Sequence, residues 1–233
     1  MLLGLDVGGT FTDAVIIDAH RVVATAKRRT TKDNLMNGIG EALDAVLEGY
    51  DASNIEQVTL STTVVTNTIV EAKEQVVDLY VITGPGRNVD DIFPVEPIYL
   101  QGYTDHRGIV VECTPADAVR GIANMVQARS GTDLAAVSAK FGVRNPQEEL
   151  SITEELKNTY HTISNGSLLS GSLNFPRRTI SAYFNSAVTP VFTVFKKNVE
   201  DALSARNILA PLHILKADGG SLPMEHMVSR PVE

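Results

Sequence analysis

The chain has 233 residues, with 20 Lys and Arg against 28 Asp and Glu, a formal charge of −8. Apolar residues make up 43%, charged residues 21%, and Gly and Pro number 17 and 10, which excludes a collagenous, low-complexity or disordered chain. The acidic balance leaves no basic stripe to displace counterions from nucleic acid, and the single cysteine, Cys113, excludes an internal disulfide and a cysteine-rich zinc site.

No apolar run reaches the roughly 18 residues of a membrane span, so no membrane role is expected. The opening Met1-Leu2-Leu3-Gly4-Leu5-Asp6 has no basic segment and meets an acid at once, unlike a secretory signal. A soluble cytoplasmic protein is the expectation.

Leu2–Val7, Phe11–Asp18 and Arg21–Arg29 are short apolar or Val/Thr-rich runs separated by turn residues, and predict an antiparallel meander. Residues 33–49 carry helical spacing through Leu35, Ile39, Leu43, Val46 and Leu47, with Asp33 as N-cap and Gly49 as stop. Alternation follows: a strand over Gln57–Thr62, a helix over 64–73, and a strand over 76–83 ending at Gly84-Pro85-Gly86. Residues 84–114 predict a hairpin excursion with strands near 98–103 and 108–112. Thr114-Pro115 opens a helix to about residue 129, with Pro at the first-turn position it tolerates. A buried strand over 134–141, a helix over 146–158, a helical stretch over 175–206 interrupted near Pro190, and a last strand over 213–217 complete the chain. Strands alternating with helices imply an α/β fold with a mixed sheet, without internal repeat or linker.

Asp6-Val7-Gly8-Gly9-Thr10-Phe11-Thr12-Asp13-Ala14-Val15 reads as strand, glycine turn, strand. Glycines let backbone N–H groups approach a phosphate without an intervening Cβ, and Thr10 and Thr12 add hydroxyl donors. Asp6 at the strand end can hold magnesium through its water shell. Without a lysine, and leading into a strand rather than a helix, the motif is neither a Walker loop nor a dinucleotide fingerprint. Asp13 shares a strand face with Phe11 and Val15. An unpaired carboxylate on an apolar face costs several kcal/mol, so a backbone bond or a site role is expected for it.

The segment 4–15 resembles the N-terminus of the hydantoinase A / 5-oxoprolinase family, a branch of the superfamily of actin, Hsp70 and the sugar kinases. Ser61-Thr62-Thr63-Val64-Val65-Thr66-Asn67 is similar to that family's Gly-Thr-Thr-x-x-x-Asn segment, with Ser for Gly. Leu173-Asn174-Phe175-Pro176-Arg177-Arg178, with Asn185 and Pro190 beyond, resembles the helix entry of one subgroup. Leu215-Lys216-Ala217-Asp218-Gly219-Gly220 and Arg230-Pro231-Val232-Glu233 resemble its Ser-Asp-Gly-Gly and Arg-Pro segments, with Ala for Ser. The family's following Ser-Gly-Pro-Ala and its second Asp-x-Gly-Gly-Thr are not in the sequence, so residues 1–233 are expected to be an N-terminal lobe whose C-terminal partner lobe is missing.

The resemblance implies a ribonuclease H-like mixed sheet, antiparallel strands 1–3 then parallel strands, flanked by helices, as one lobe of an actin-like ATPase. It implies ATP and magnesium as cofactors, a cyclic amide substrate such as a hydantoin or 5-oxoproline, and a second hydantoinase subunit as partner. Asp6 and Asp13 are the catalytic candidates; Gly8, Gly9, Thr10 and Thr12 bind phosphate; Asp6 holds magnesium through water. Thr62, Thr63 and Asn67 at a strand end either line a substrate site or cap the next helix. Asp218 and Gly219 either line the site or form a turn before a helix. Arg177 and Arg178 read as a solvated helix face ahead of a carboxylate grip, and the five histidines form no spaced metal pair. A carboxylase subunit, a small-molecule kinase and a non-enzymatic nucleotide switch are the alternatives. Half a two-lobed clamp is expected to bind ATP weakly or not at all.

Overall fold

The computed structural model describes residues 1–30, 35–86 and 90–233, with the side chains of 35, 36 and 90 left aside. The expected N-cap, Asp33, and the end of the Gly84-Pro85-Gly86-Arg87 turn lie outside the described residues. The chain divides into two compact units, one of residues 1–73, 190–231 and 233, the other of 74–189 and 232.

In the first unit, β1 (Leu2–Val7), β2 (Phe11–Asp18) and β3 (Arg21–Arg29) form the expected antiparallel meander. α1 (Leu35–Val46) leads to β4 (Gln57–Thr62) and α2 (Val64–Val70). β4 adds parallel to β1, and β11 (Leu212–Leu215) adds parallel to β4. A strand that sequence reading missed, β12 (Ser221–Pro223), closes antiparallel on β11, so the six-stranded order is β12-β11-β4-β1-β2-β3. Its first five strands in chain order run 3-2-1-4 and then β11, the ribonuclease H-like arrangement. Period-2 alternation selects the inner face: Leu3, Leu5, Val7, Ala14, Ile16, Val58, Leu60 and Ile214 are buried against α1 and the residues from 190 onward of α6 (Phe175–Ser204), through Ile39, Leu43, Phe192, Phe195 and Val199.

The second unit holds β5 (Asp78–Ile82), β6 (Ile98–Tyr99), β9 (Leu134–Ala139) and β10 (Thr162–Asn165) in an all-parallel sheet of order β10-β9-β5-β6. Helices α3 (Ala116–Ser130) and α4 (Gln147–Leu156) cover one face, and the residues of α6 before 190 cover the other. Burial on both faces explains why β5 and β9 read as unbroken apolar runs: Tyr80 and Ile82 enter one core, Leu79 and Val81 the other. The predicted excursion is smaller than expected. β7 (Tyr103–Thr104) and β8 (Val110–Glu112) form the hairpin, whereas β6 joins the sheet. Two short helices, α5 (Gly166–Leu169) and α7 (Met224–Met227), were not anticipated.

α6 is continuous through Pro190, contrary to the expected interruption. Proline removes one ladder bond, but thirty residues of packed helix absorb that loss.

Candidate functional site

The glycine hairpin is built from three clamps. Gly8 N–H donates to Phe11 O at 3.0 Å, Thr30 N–H donates to Thr10 O at 2.9 Å, and the Thr30 hydroxyl donates to Gly8 O at 2.8 Å. Neither Gly8 nor Gly9 has a positive φ, so left-handed backbone is not what requires glycine here. Close approach is. A Cβ on Gly8 would lie 3.2 Å from Phe11 O, and one on Gly9 would lie 3.1 Å from Asn67 Nδ2.

The clamps divide the predicted phosphate donors. The Gly8 N–H is consumed by the turn. Those of Gly9 and Thr10, both exposed, have no partner among the described residues and can serve an anion. Thr12 points the other way: it is fully buried, and its hydroxyl meets that of Thr30 at 3.1 Å. Thr12 therefore supports the hairpin from beneath rather than presenting a donor to a ligand.

Asp6 and Asp13 are cross-strand partners, with Ser61 level with Asp6 on β4 and Lys27 level with Asp13 on β3. Asp13 is not stranded on the apolar face; that face belongs to Thr12, Ala14 and Ile16. Both Asp13 oxygens accept from Lys27 Nζ at 2.8 Å, and the same ammonium lies 4.9 Å from the Phe11 ring centroid. Asp6 is exposed and makes no hydrogen bond or ion pair among the described residues. Ser61, Asp6, Asp13 and Lys27 line a shallow groove of about 570 Å³ on the outer sheet face.

At the end of β4, the Thr62 hydroxyl donates to Val7 O at 3.0 Å and accepts from Val64 N–H at 3.2 Å, tying the helix start to β1. Thr63 makes no side-chain cap bond to the helix. Its hydroxyl instead accepts from Asn67 Nδ2 at 3.1 Å. Thr63, Asn67, Lys73 and the two glycines line a part-open cavity of about 260 Å³ within the first unit. Lys73 pairs there with Glu71 at 2.5 Å.

Other candidates fall elsewhere. Asp218 and Gly219 form a β-hairpin turn between β11 and β12, not a turn before a helix: Gly219 has φ +88°, and Asp218 Oδ1 accepts from Gly220 N–H at 2.8 Å. That bond, then the Lys216 ammonium, holds the Asp218 carboxyl below the usual carboxylate range. Neither residue lines either cavity. Arg178 is not on a solvated face. It is 1% exposed, and its guanidinium donates to the carbonyls of Ala139 at 2.5 Å, Ser172 at 2.7 Å and Lys140 at 3.2 Å.

Sequence reading missed Thr30, Lys27 and Lys73. Thr30 carries no motif. Lys27 is hidden by a bulge. The Ala19-His20 turn, with φ 43° and 66°, pairs Asp18 with Arg21, and a regular ladder from there would oppose Asp13 with Ala26. The irregularity at Ile16/Ile17 inserts one residue and brings Lys27 into place.

The described residues thus define a ribonuclease H-like unit bearing a clamped glycine hairpin, joined in sequence to a parallel α/β unit. Residues 2–160 match the sequence profile of the hydantoinase/oxoprolinase N-terminal region, and the chain belongs to that family. Two solved structures share the fold. The nucleotide-free acetone carboxylase of a study of ATP-dependent acetone carboxylation has a TM-score of 0.78 at 18% identity, covering 98% of this chain and 38% of its own. The ATP-dependent caprolactamase from Pseudomonas jessenii has a TM-score of 0.76 at 18% identity, covering 96% of this chain and 36% of its own. The chain therefore spans little more than a third of either. No curated protein sequence matches it. Among the described residues no helix is long and apolar enough to cross a membrane, and no cluster of three or more His, Cys, Asp or Glu could hold a metal.

Proposed function

We propose that the chain is the N-terminal part of an ATP-dependent hydrolase of cyclic amides. The observation that carries this reading is the pair of unpartnered N–H groups at Gly9 and Thr10 in the turn that follows β1, the strand that carries the unpartnered carboxylate of Asp6. Free backbone N–H groups suit a nucleotide phosphate, and a lone carboxylate at the end of the preceding strand suits magnesium held through water. Family membership supports the reading, and a relative of the same fold is an ATP-dependent caprolactamase.

An amide resists attack because resonance stabilises it, as its rotation barrier of about 18–20 kcal/mol reflects. Bound ATP would supply a phosphoryl group to the amide oxygen, removing that resonance. Gly9 and Thr10 would orient the phosphates, Asp6 would hold magnesium through water, and the Thr30 clamp keeps the loop in place. Asp13, held by Lys27, balances the carboxylate row rather than touching the reacting atoms.

A carboxylase is the second reading, supported by the acetone carboxylase of the same fold. Phosphate release by the full-length protein, with its second subunit where one co-purifies, separates the two. Five- to seven-membered cyclic amides are expected to stimulate ATP cleavage, and ketones with bicarbonate are not. The reverse pattern would overturn the hydrolase reading.

A further inference from the structure

The cavity beside the glycine hairpin carries a more specific assignment, which rests on the cyclic-amide reading above. Asn67 sits in its wall with a carboxamide only partly used: Nδ2 donates one proton to Thr63 Oγ1 at 3.1 Å, and Oδ1 accepts no hydrogen bond among the described residues. The side chain is half-buried, and Gly9 leaves room for its amide, since a Cβ there would stand 3.1 Å from Nδ2. A carboxamide held at its nitrogen by Thr63 and given room by Gly9 presents an edge with one N–H donor beside one C=O acceptor.

That edge has a chemical complement. A small-ring lactam, imide or hydantoin is locked in the cis amide form, with N–H and C=O on the same side. An open-chain peptide is trans and presents them on opposite sides. The cis edge and a primary carboxamide form two reciprocal hydrogen bonds at once. The part-open cavity, about 260 Å³, has room for one small ring.

We infer that Asn67 is the residue that recognises the substrate, pairing its Oδ1 and Nδ2 with the ring N–H and C=O of a cyclic cis amide. The pairing would hold the amide oxygen beside the Gly9 and Thr10 N–H groups, where the phosphate is expected. It would discriminate against N-alkylated rings and against linear amides. Thr63 is the positioning residue, since it fixes which Asn67 proton remains available.

The test compares a lactam with its N-methyl derivative on the full-length protein, reading binding by ligand-observed NMR competition and turnover by phosphate release. The wild type is expected to prefer the N–H ring by at least about 10-fold, the scale of one hydrogen bond plus a blocked contact. Asn67→Ala should bring that preference to near unity. Asn67→Asp keeps an acceptor for the ring N–H while losing the donor to the carbonyl, so it should retain the N–H preference while binding both rings more weakly. Thermal melting identifies any variant that fails to fold, and either variant alone is decisive. If the wild type binds and turns over lactams but both variants keep its full affinity and preference, the Asn67 assignment is wrong and the cyclic-amide reading stands. If no cyclic amide binds or stimulates the wild type, both fall together.

Discussion

Two threonines two residues apart, Thr10 and Thr12, have the same chemistry and opposite surroundings. The strand between them turns Thr12 into the core, where its hydroxyl serves Thr30, and leaves Thr10 at the exposed loop. Thr12→Val should therefore cost about 0.5–1.5 kcal/mol of stability through one lost hydrogen bond, while changing ATP affinity of the full-length protein little; chemical denaturation and calorimetry read the two effects separately. A large affinity loss at unchanged stability would return Thr12 to the ligand. Asp6→Asn should do the reverse. With no protein partner to lose, it should leave the melting temperature unchanged and lower substrate-dependent ATP cleavage by about 100-fold or more. Unchanged turnover would remove Asp6 from the chemistry.

A third residue, Glu148 on α4, gives a pH prediction. It is 5% exposed, and neither oxygen makes a well-formed hydrogen bond, although Thr104 and Thr114 lie beside it. Burial, the leading cause, raises its carboxyl above the ordinary value of 4.5. The folded state then binds this proton more tightly than the unfolded state. Stability from this group is present below 4.5 and declines as pH rises through the elevated folded value. Glu148→Gln should raise the melting temperature at pH 7, with the gain shrinking as pH falls through the elevated folded value toward 4.5. A loss at pH 7 would mean the charged form is stabilised by its surroundings.

Among elements, the hairpin and the start of α2 act as one piece because Thr62 bonds both Val7 O and Val64 N–H. Thr62→Val should cost about 1–3 kcal/mol, since two part-buried backbone groups lose their partner, against under about 1 kcal/mol for Lys27→Met, which breaks an exposed pair; urea denaturation compares them. The meander and the doubly buried strands β5 and β9 were legible in the sequence, because period-2 patterning and continuous apolar runs are local signals. What escaped were features set by register and by tertiary contact. The bulge that delivers Lys27, the three-residue strand β12, and the burial of Arg178 against carbonyl groups have no local signature. Pro190 misled in the other direction, since local helix-breaking is outweighed where both flanks are packed. The glycine turn between β1 and β2 was legible in the motif, but which of its donors the turn itself consumes was visible only from the hydrogen bonds.

On the scale of the whole molecule, the chain covers 38% and 36% of the two structures sharing its fold, and one cradle supplies two free N–H groups. Residues 1–233 alone are expected to show no micromolar ATP binding by calorimetry; micromolar affinity would mean that the first unit holds the nucleotide unaided. The central claim, phosphoryl activation of a ring amide, is tested most directly by isotope transfer. The full-length protein is given ATP and a cyclic amide labelled with oxygen-18 at the carbonyl, and the released phosphate is weighed by mass spectrometry. The account predicts one labelled oxygen in each phosphate formed per ring opened. Unlabelled phosphate with the label retained in the ring-opened acid would contradict it.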